Sequence, residues 1–276
     1  MKSSISCALA CGAINLVVMA CSSERLHDQP KTSSAEQPQR EVTSVVEQLT
    51  YSVIKTLPHD SKAFTQGLVV DGRYFLESTG QVGTSSLRRV DIETGRILKS
   101  VPLDPTVFGE GMTVLGDNVY VLTWLHQRGY VFNRHSLQQT GTFAYSGEGW
   151  GLTTDGTVLY MSNGTNVITA RDPSSFAVLR TIPVTLSGRP IGDLNELEWI
   201  DGMIWANVWR TDNIVRIDPT NGKVTGVVDL TGLLPYSQQT ADTDVLNGIA
   251  WDSTSKALYV TGKNWPHVYQ IGIRPK

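Results

Sequence analysis

Beyond residue 21 the chain has no cysteine. Its three cysteines, Cys7, Cys11 and Cys21, all lie in the first 21 of 276 residues, so the remaining body has neither a disulfide nor a thiol nucleophile. Histidine is scarce as well. His27, His59, His126, His135 and His267 are scattered, without the close spacing that metal sites use. Charge of one sign is also missing: a net charge near −3 with no basic stripe offers nothing to a nucleic-acid backbone. No serine sits in a nucleophile-elbow context. Gly147-Glu148-Gly149-Trp150-Gly151 is glycine-rich but opens no helix, which disfavours phosphate cradling. Asp242-Thr243-Asp244 with Gly248 lacks the bidentate Glu that a calcium loop needs. After residue 48 no stretch of helical length has helical periodicity.

What is present is an ordinary globular composition, 40% hydrophobic and 18% charged, with 25 glycines and abundant Thr, Val and Tyr. That mixture favours a turn-rich β protein with a core large enough to need no staples. Ile5 to Ala20 is mostly apolar, follows Lys2 and ends in Val18-Met19-Ala20-Cys21. The run is too short for a comfortable transmembrane helix and reads as a secretion signal. A small residue directly before a cysteine resembles a bacterial lipoprotein cleavage site, so residues 1–21 are expected to be removed up to Cys21, which becomes the lipidated first residue. Ordinary signal cleavage stays open. Ser22 and Ser23, with no Asp next to the cysteine, suggest the periplasm and an anchor in the outer membrane. Residues 22–46 are largely polar and read as a flexible tether. Residues 47–276 read as one domain.

That domain repeats a phrase five times. The copies begin at Gln66-Gly67-Leu68, Glu110-Gly111-Met112, Trp150-Gly151-Leu152, Asn195-Glu196-Leu197 and Asn247-Gly248-Ile249. They recur at roughly 40–52 residues, the period of propeller blades. Each runs through a turn signal such as Asp71-Gly72, Asp155-Gly156 or Asp201-Gly202 into a second apolar strand. A second Asp/Asn-rich turn, clearest in Asp91-Ile92-Glu93-Thr94-Gly95 and Asp218-Pro219-Thr220-Asn221-Gly222, joins the outer two strands. The fifth repeat ends too soon for its outermost strand, and Thr50–Leu57 can supply it. The expected fold is all-β, a five-bladed β-propeller closed by an N-terminal strand joining the last blade.

In such a fold the leading residues Gln66, Glu110, Trp150, Asn195 and Asn247 ring one end of the axis. The ends of the second strands add Thr79, Trp124, Gly164, Trp209 and Lys263. Singly each has a bland explanation, since a Trp in a β protein is usually core and an Asn at a strand start usually caps a turn. Repeats that diverge at one shared position, however, put function there. One carboxylate among indoles suits proton transfer: apolar walls raise its pKa and Lys263 pulls it down.

Seven motifs carry a family resemblance: Phe64-Thr65-Gln66-Gly67-Leu68, Glu77-Ser78-Thr79-Gly80, Phe108-Gly109-Glu110-Gly111, Trp150-Gly151-Leu152-Thr153, Asn195-Glu196-Leu197-Glu198, Val245-Leu246-Asn247-Gly248-Ile249-Ala250 and Val260-Thr261-Gly262-Lys263. In this order, over about residues 47–273, the chain resembles the plant and bacterial type of glutaminyl-peptide cyclotransferases. The resemblance implies a five-bladed propeller that works without a metal or other cofactor. It implies cyclisation of an N-terminal glutamine to pyroglutamate with release of ammonia, on peptides or proteins with a free N-terminal Gln. It assigns proton transfer to Glu110 and donation to the developing oxyanion or the substrate amide to Asn195 and Lys263. Gln66 is to bind the substrate backbone, with Asn247 in the same binding ring, and Trp124, Trp150, Trp209, Phe64 and Phe108 are to form the walls. A closed propeller also leans towards a monomer. Two rivals remain open: a non-catalytic propeller that binds peptides or carbohydrate, and a metal-centred lactonase or lyase, for which the ring offers too few carboxylates.

Overall fold

Short runs of alternating apolar residues, punctuated by Asp-Gly turns, fold as antiparallel strands. The computed structural model describes residues 45–276; the leader, Cys21 and the tether through residue 44 lie outside the described residues. Strand β1 (Glu47–Pro58) comes first. The first repeat holds β2 (Thr65–Asp71), β3 (Tyr74–Thr79), β4 (Ser86–Asp91) and β5 (Ile97–Pro102), and the second β6 (Gly109–Leu115), β7 (Asn118–Thr123), β8 (Arg128–Asn133) and β9 (Gln139–Ala144). The third holds β10 (Leu152–Thr154), β11 (Leu159–Met161), β12 (Val167–Arg171) and β13 (Val178–Pro183), followed by a small hairpin, β14 (Thr185–Leu186) and β15 (Arg189–Pro190). The fourth holds β16 (Leu194–Ile200), β17 (Met203–Val208), β18 (Asn213–Ile217) and β19 (Val224–Asp229), and the fifth β20 (Leu246–Asp252), β21 (Ala257–Gly262) and β22 (His267–Pro275).

The first three repeats are separate four-stranded antiparallel sheets, whereas the last two share one eight-stranded sheet in the order β16-β17-β18-β19-β1-β22-β21-β20. Strand β1 causes the fusion. It pairs antiparallel with β22 from Leu49↔Pro275 to Pro58↔His267. Its first three residues, Glu47 to Leu49, also pair in parallel with Gly226 to Val228 of β19. The N-terminal segment thus takes the fourth place in the last repeat, and its overhang ties that repeat to the one before.

Five apolar clusters lie between consecutive repeats. Leu76 and Leu87 meet Met112 and Val121 between the first and second. Tyr120 and Leu122 meet Leu159 and Phe176 between the second and third, and Ile168 meets Ile204 between the third and fourth. Val228 and Ile214 meet Val260 between the fourth and fifth. Leu57 and Val268 meet Leu68 and Phe75 between the fifth and the first. The first strands follow the same cycle: β2 packs on β6, β6 on β10, β10 on β16, β16 on β20, and β20 on β2.

The small second residue of each copy has a steric cause. A Cβ on Gly111 would stand 2.4 Å from the Trp150 carbonyl oxygen, and one on Gly151 2.0 Å from that of Asn195. Adjacent first strands approach so closely that only glycine fits. The fourth repeat has Glu196 in this slot and uses its carboxylate instead, which accepts from the backbone N–H groups of Ile249 at 2.9 Å and Leu68 at 3.4 Å. The β2/β3, β6/β7, β16/β17 and β20/β21 ladders each shift register around the leading residue. Such bulges re-aim a side chain, and here they sit at Gln66, Glu110, Asn195 and Asn247.

Candidate active site

A pocket of about 280 Å³ opens where the first strands begin and the second strands end. Gln66, Glu110, Trp150 and Asn195 reach it from the leading positions, Phe64 and Phe108 from two residues earlier, and Trp124, Trp209 and Lys263 from just beyond the second strands. Of the residues singled out in the sequence, three do not line it. Asn247 is wholly buried behind Gln66. Thr79 turns its hydroxyl to Ser86 at 2.8 Å. Gly164 serves by absence: a Cβ there, at φ +78°, would stand 2.6 Å from the Trp150 ring.

The polar groups are held from behind. The Ser78 hydroxyl donates to the Glu110 carbonyl at 2.6 Å and the Ser162 hydroxyl to the Asn195 carbonyl at 2.6 Å, so each leading residue is pinned by the preceding repeat. Asn247 Nδ2 donates to the Thr65 carbonyl at 3.0 Å and to Gln66 Oε1 at 3.2 Å. With its oxygen engaged, Gln66 presents its NH₂ group to the pocket. Asn195 Oδ1 is buried with no partner, which leaves its NH₂ as the end of that amide facing the pocket.

Glu110 and Lys263 face the same space, each about 5% exposed. They form no ion pair, and among the described residues nothing hydrogen-bonds the Glu110 carboxyl. Burial pushes its pKa well above the ordinary carboxylate range; Lys263 opposes this and Glu148 adds to it. Burial lowers the Lys263 pKa, against the pull of Glu110 and Asp244. Opposite charges that share a pocket without touching leave room for a group between them.

Aromatic rings complete the wall. Lys263 Nζ lies 4.9 Å from the Phe64 ring centre. Phe64 meets Phe108 edge-to-face at 5.9 Å, and Phe108 meets Trp124 at 5.8 Å. Trp150 and Trp209 cross at 5.4 Å, and the Arg210 guanidinium stacks over Trp209 at 4.1 Å. Among the described residues no three His, Cys, Asp or Glu side chains are grouped to hold one metal ion.

The model for glutamine cyclotransferases matches residues 25–273. The chain belongs to that family. It is 42% identical over 228 residues to a glutaminyl-peptide cyclotransferase of Arabidopsis thaliana, across 80% of this chain and 71% of that one. The crystal structure of Myxococcus xanthus glutaminyl cyclase superposes with a TM-score of 0.79 at 34% identity, covering 84% of this chain and all of the other.

Within this cyclotransferase the sequence left several pocket residues unread. Arg210, Asp244 and Val245 line the pocket from loops; Asp244 enters the sequence reading only in the rejected calcium segment and Val245 only within a family motif, and nothing in the local pattern marks Arg210. Glu148 is different: it lies in the glycine-rich segment weighed only for phosphate binding, two residues before a ring tryptophan. Its Oε2 accepts from both Trp124 Nε1 and Trp150 Nε1.

Proposed function

We propose that the pocket cyclises the N-terminal glutamine of peptides and proteins and that Glu110 carries the proton. The observation that supports this best is the buried, unpartnered Glu110 carboxyl facing Lys263 across a pocket sized for one residue; about 280 Å³ falls just below the usual span of small-molecule sites. The substrate's α-amine attacks its own side-chain carboxamide carbon. A C–N bond forms, the carbonyl electrons move to oxygen, and the tetrahedral intermediate collapses by expelling ammonia, leaving a pyroglutamyl end. Attacker and target belong to one residue, so curling that residue supplies much of the acceleration.

Glu110 takes the proton that the amine sheds and returns it to the departing nitrogen; burial raises its pKa, which makes it a better base for the first step than an ordinary carboxylate. Lys263 and the NH₂ groups of Asn195 and Gln66 are the donors available to the substrate's oxygens, including the oxyanion. Asn247 acts through Gln66, by fixing which end of that amide faces the substrate. The indoles and Phe64 with Phe108 exclude water, which would otherwise hydrolyse the amide. No step calls on a metal, and the reaction is expected to survive a chelator.

The scaffold for this chemistry is read as a five-bladed β-propeller. The cyclic order of the five first strands and of the five apolar clusters supports that reading, with the eight-stranded sheet counted as two blades bridged by β1. The protein is further read as a monomeric, exported lipoprotein, anchored through Cys21 in the outer membrane and tethered by residues 22–46; fatty-acid labelling that Cys21→Ser abolishes is the expected result.

Incubation with a Gln-initiated peptide should yield one ammonia and one pyroglutamyl end per peptide, while the same peptide acetylated at its amine stays unchanged. Ammonia release from the acetylated peptide would mean hydrolysis by water and would contradict the reading.

A further inference from the structure

The aromatic wall of the pocket is made of two runs with no ring-to-ring packing between them among the described residues. One is Phe64, Phe108 and Trp124; the other is Trp150 and Trp209. Glu148 joins them. Trp124 Nε1–H donates to its Oε2 at 2.7 Å and Trp150 Nε1–H donates to the same oxygen at 2.8 Å. A carboxylate oxygen has lone pairs for both, and bonds to an ionised acceptor are about twice as strong as neutral ones. The loop that carries Glu148 is itself seated. The Gly149 N–H donates to the Trp124 carbonyl at 3.1 Å, and a Cβ on Gly149 would stand 2.5 Å from the Tyr145 hydroxyl.

We propose that Glu148 is a positioning residue for cyclisation, its carboxylate holding Trp124 and Trp150 at the separation that curls the substrate glutamine. The inference rests on the cyclotransferase reading above. Trp124 follows the end of β7 and is 38% exposed. Phe108, edge-to-face at 5.8 Å, is its one ring neighbour among the described residues, so without the clamp the indole is freer to turn about its side-chain torsions. Intramolecular attack depends on the near-attack shape, and a displacement of about 1 Å costs about 100-fold in rate. The same carboxylate acts on the proton carrier. The charged groups acting on Glu110 are Lys263 from the fifth repeat and Glu148 from the loop before the third; the titratable Tyr145 feels the Glu110 charge in turn, and Arg210 and Asp244 line the same pocket. Removing the Glu148 charge leaves burial alone to oppose Lys263, so the Glu110 pKa falls.

The test uses the full chain, with the parent, Glu148→Ala and Glu148→Gln in one assay on a Gln-initiated peptide. Glutamine keeps an acceptor oxygen for the two indoles but not the charge; alanine keeps neither. We expect Glu148→Ala to lower kcat/KM about 10- to 100-fold at unchanged Tm, with two indole N–H resonances displaced. Glu148→Gln should recover to within about threefold of the parent at the plateau. Its acid limb in the kcat/KM profile should move to lower pH. An alanine variant with parental kcat/KM and unmoved indole signals would overturn the proposal. So would a glutamine variant as slow as alanine, or one with an unmoved acid limb, and the glutamine variant decides alone if alanine does not fold. A parent that releases no ammonia would instead refute the function from which the inference starts.

Discussion

Three buried carboxylates show how little burial alone decides. Glu77, Glu110 and Glu196 are each at most 5% exposed. Glu77 sits in an ionic cluster. Its Oε2 accepts from Arg88 at 2.5 Å and its Oε1 contacts His59 Nε2 at 3.0 Å. Burial would raise its pKa, but Arg88 and His59 outweigh that and hold it well below the usual range. The other ring nitrogen of His59 meets the Trp265 carbonyl at 2.8 Å. Flanked by two acceptors, that ring has to donate from both nitrogens and is held as imidazolium. No cation offsets the burial of Glu196. Burial and its neighbour Glu198 raise its pKa, and it spends both oxygens on backbone N–H groups of β2 and β20. Glu110 is raised as well, yet it has no protein partner and looks into the pocket. A raised pKa therefore does not mark the reactive group. Of the three, Glu110 alone combines a raised pKa with an unengaged carboxyl facing open space and a cation, and the proposed role rests on that combination.

The contrast can be broken most severely at Glu77. In Glu77→Gln the Arg88 and His59 charges lose their buried partner, and about 3–5 kcal/mol of stability should go with it. Denaturant unfolding should show this loss while kcat of the folded enzyme stays near the parent's. Lys263→Met sharpens the pocket side. Lys263 lowers the Glu110 pKa, so its removal should shift the acid limb of kcat/KM to higher pH, besides slowing the reaction about 10- to 100-fold through the lost donor. A smaller effect is expected at Glu198, whose pKa burial pushes up to about 8. Because the folded value lies above the unfolded one, the stability it contributes is complete below the unfolded value and is lost as pH rises through about 8. Parent Tm should therefore fall through this range, and Glu198→Gln should flatten the fall.

How far the sequence foretold all this differs from residue to residue. The five leading residues were legible because the phrase repeats, and repetition maps positions onto one another without any knowledge of contacts. Strand β1 was legible as the missing outer strand because the fifth repeat was visibly short. The reach of Glu47 to Leu49 onto β19 was not, since it depends on how far one strand overhangs another. Asn247 occupies a leading position like Gln66, yet its side chain stays buried and turns to Gln66 and the Thr65 carbonyl. Equal register does not fix equal direction. Glu148, Arg210 and Asp244 come from loops, where no period exists to align them. The cluster of Glu77 with Arg88 and His59 brings together two strands and the loop after β1, so none of its members announces the others.

The most direct test of the account is kcat for ammonia release from a Gln-initiated peptide by Glu110→Gln beside Glu196→Gln, with chelator present. The account predicts that Glu110→Gln loses about 10²- to 10⁴-fold with no loss of Tm, while Glu196→Gln, once folded, turns over near the parental rate. Parental turnover by Glu110→Gln, or an equal collapse in folded Glu196→Gln, would contradict it.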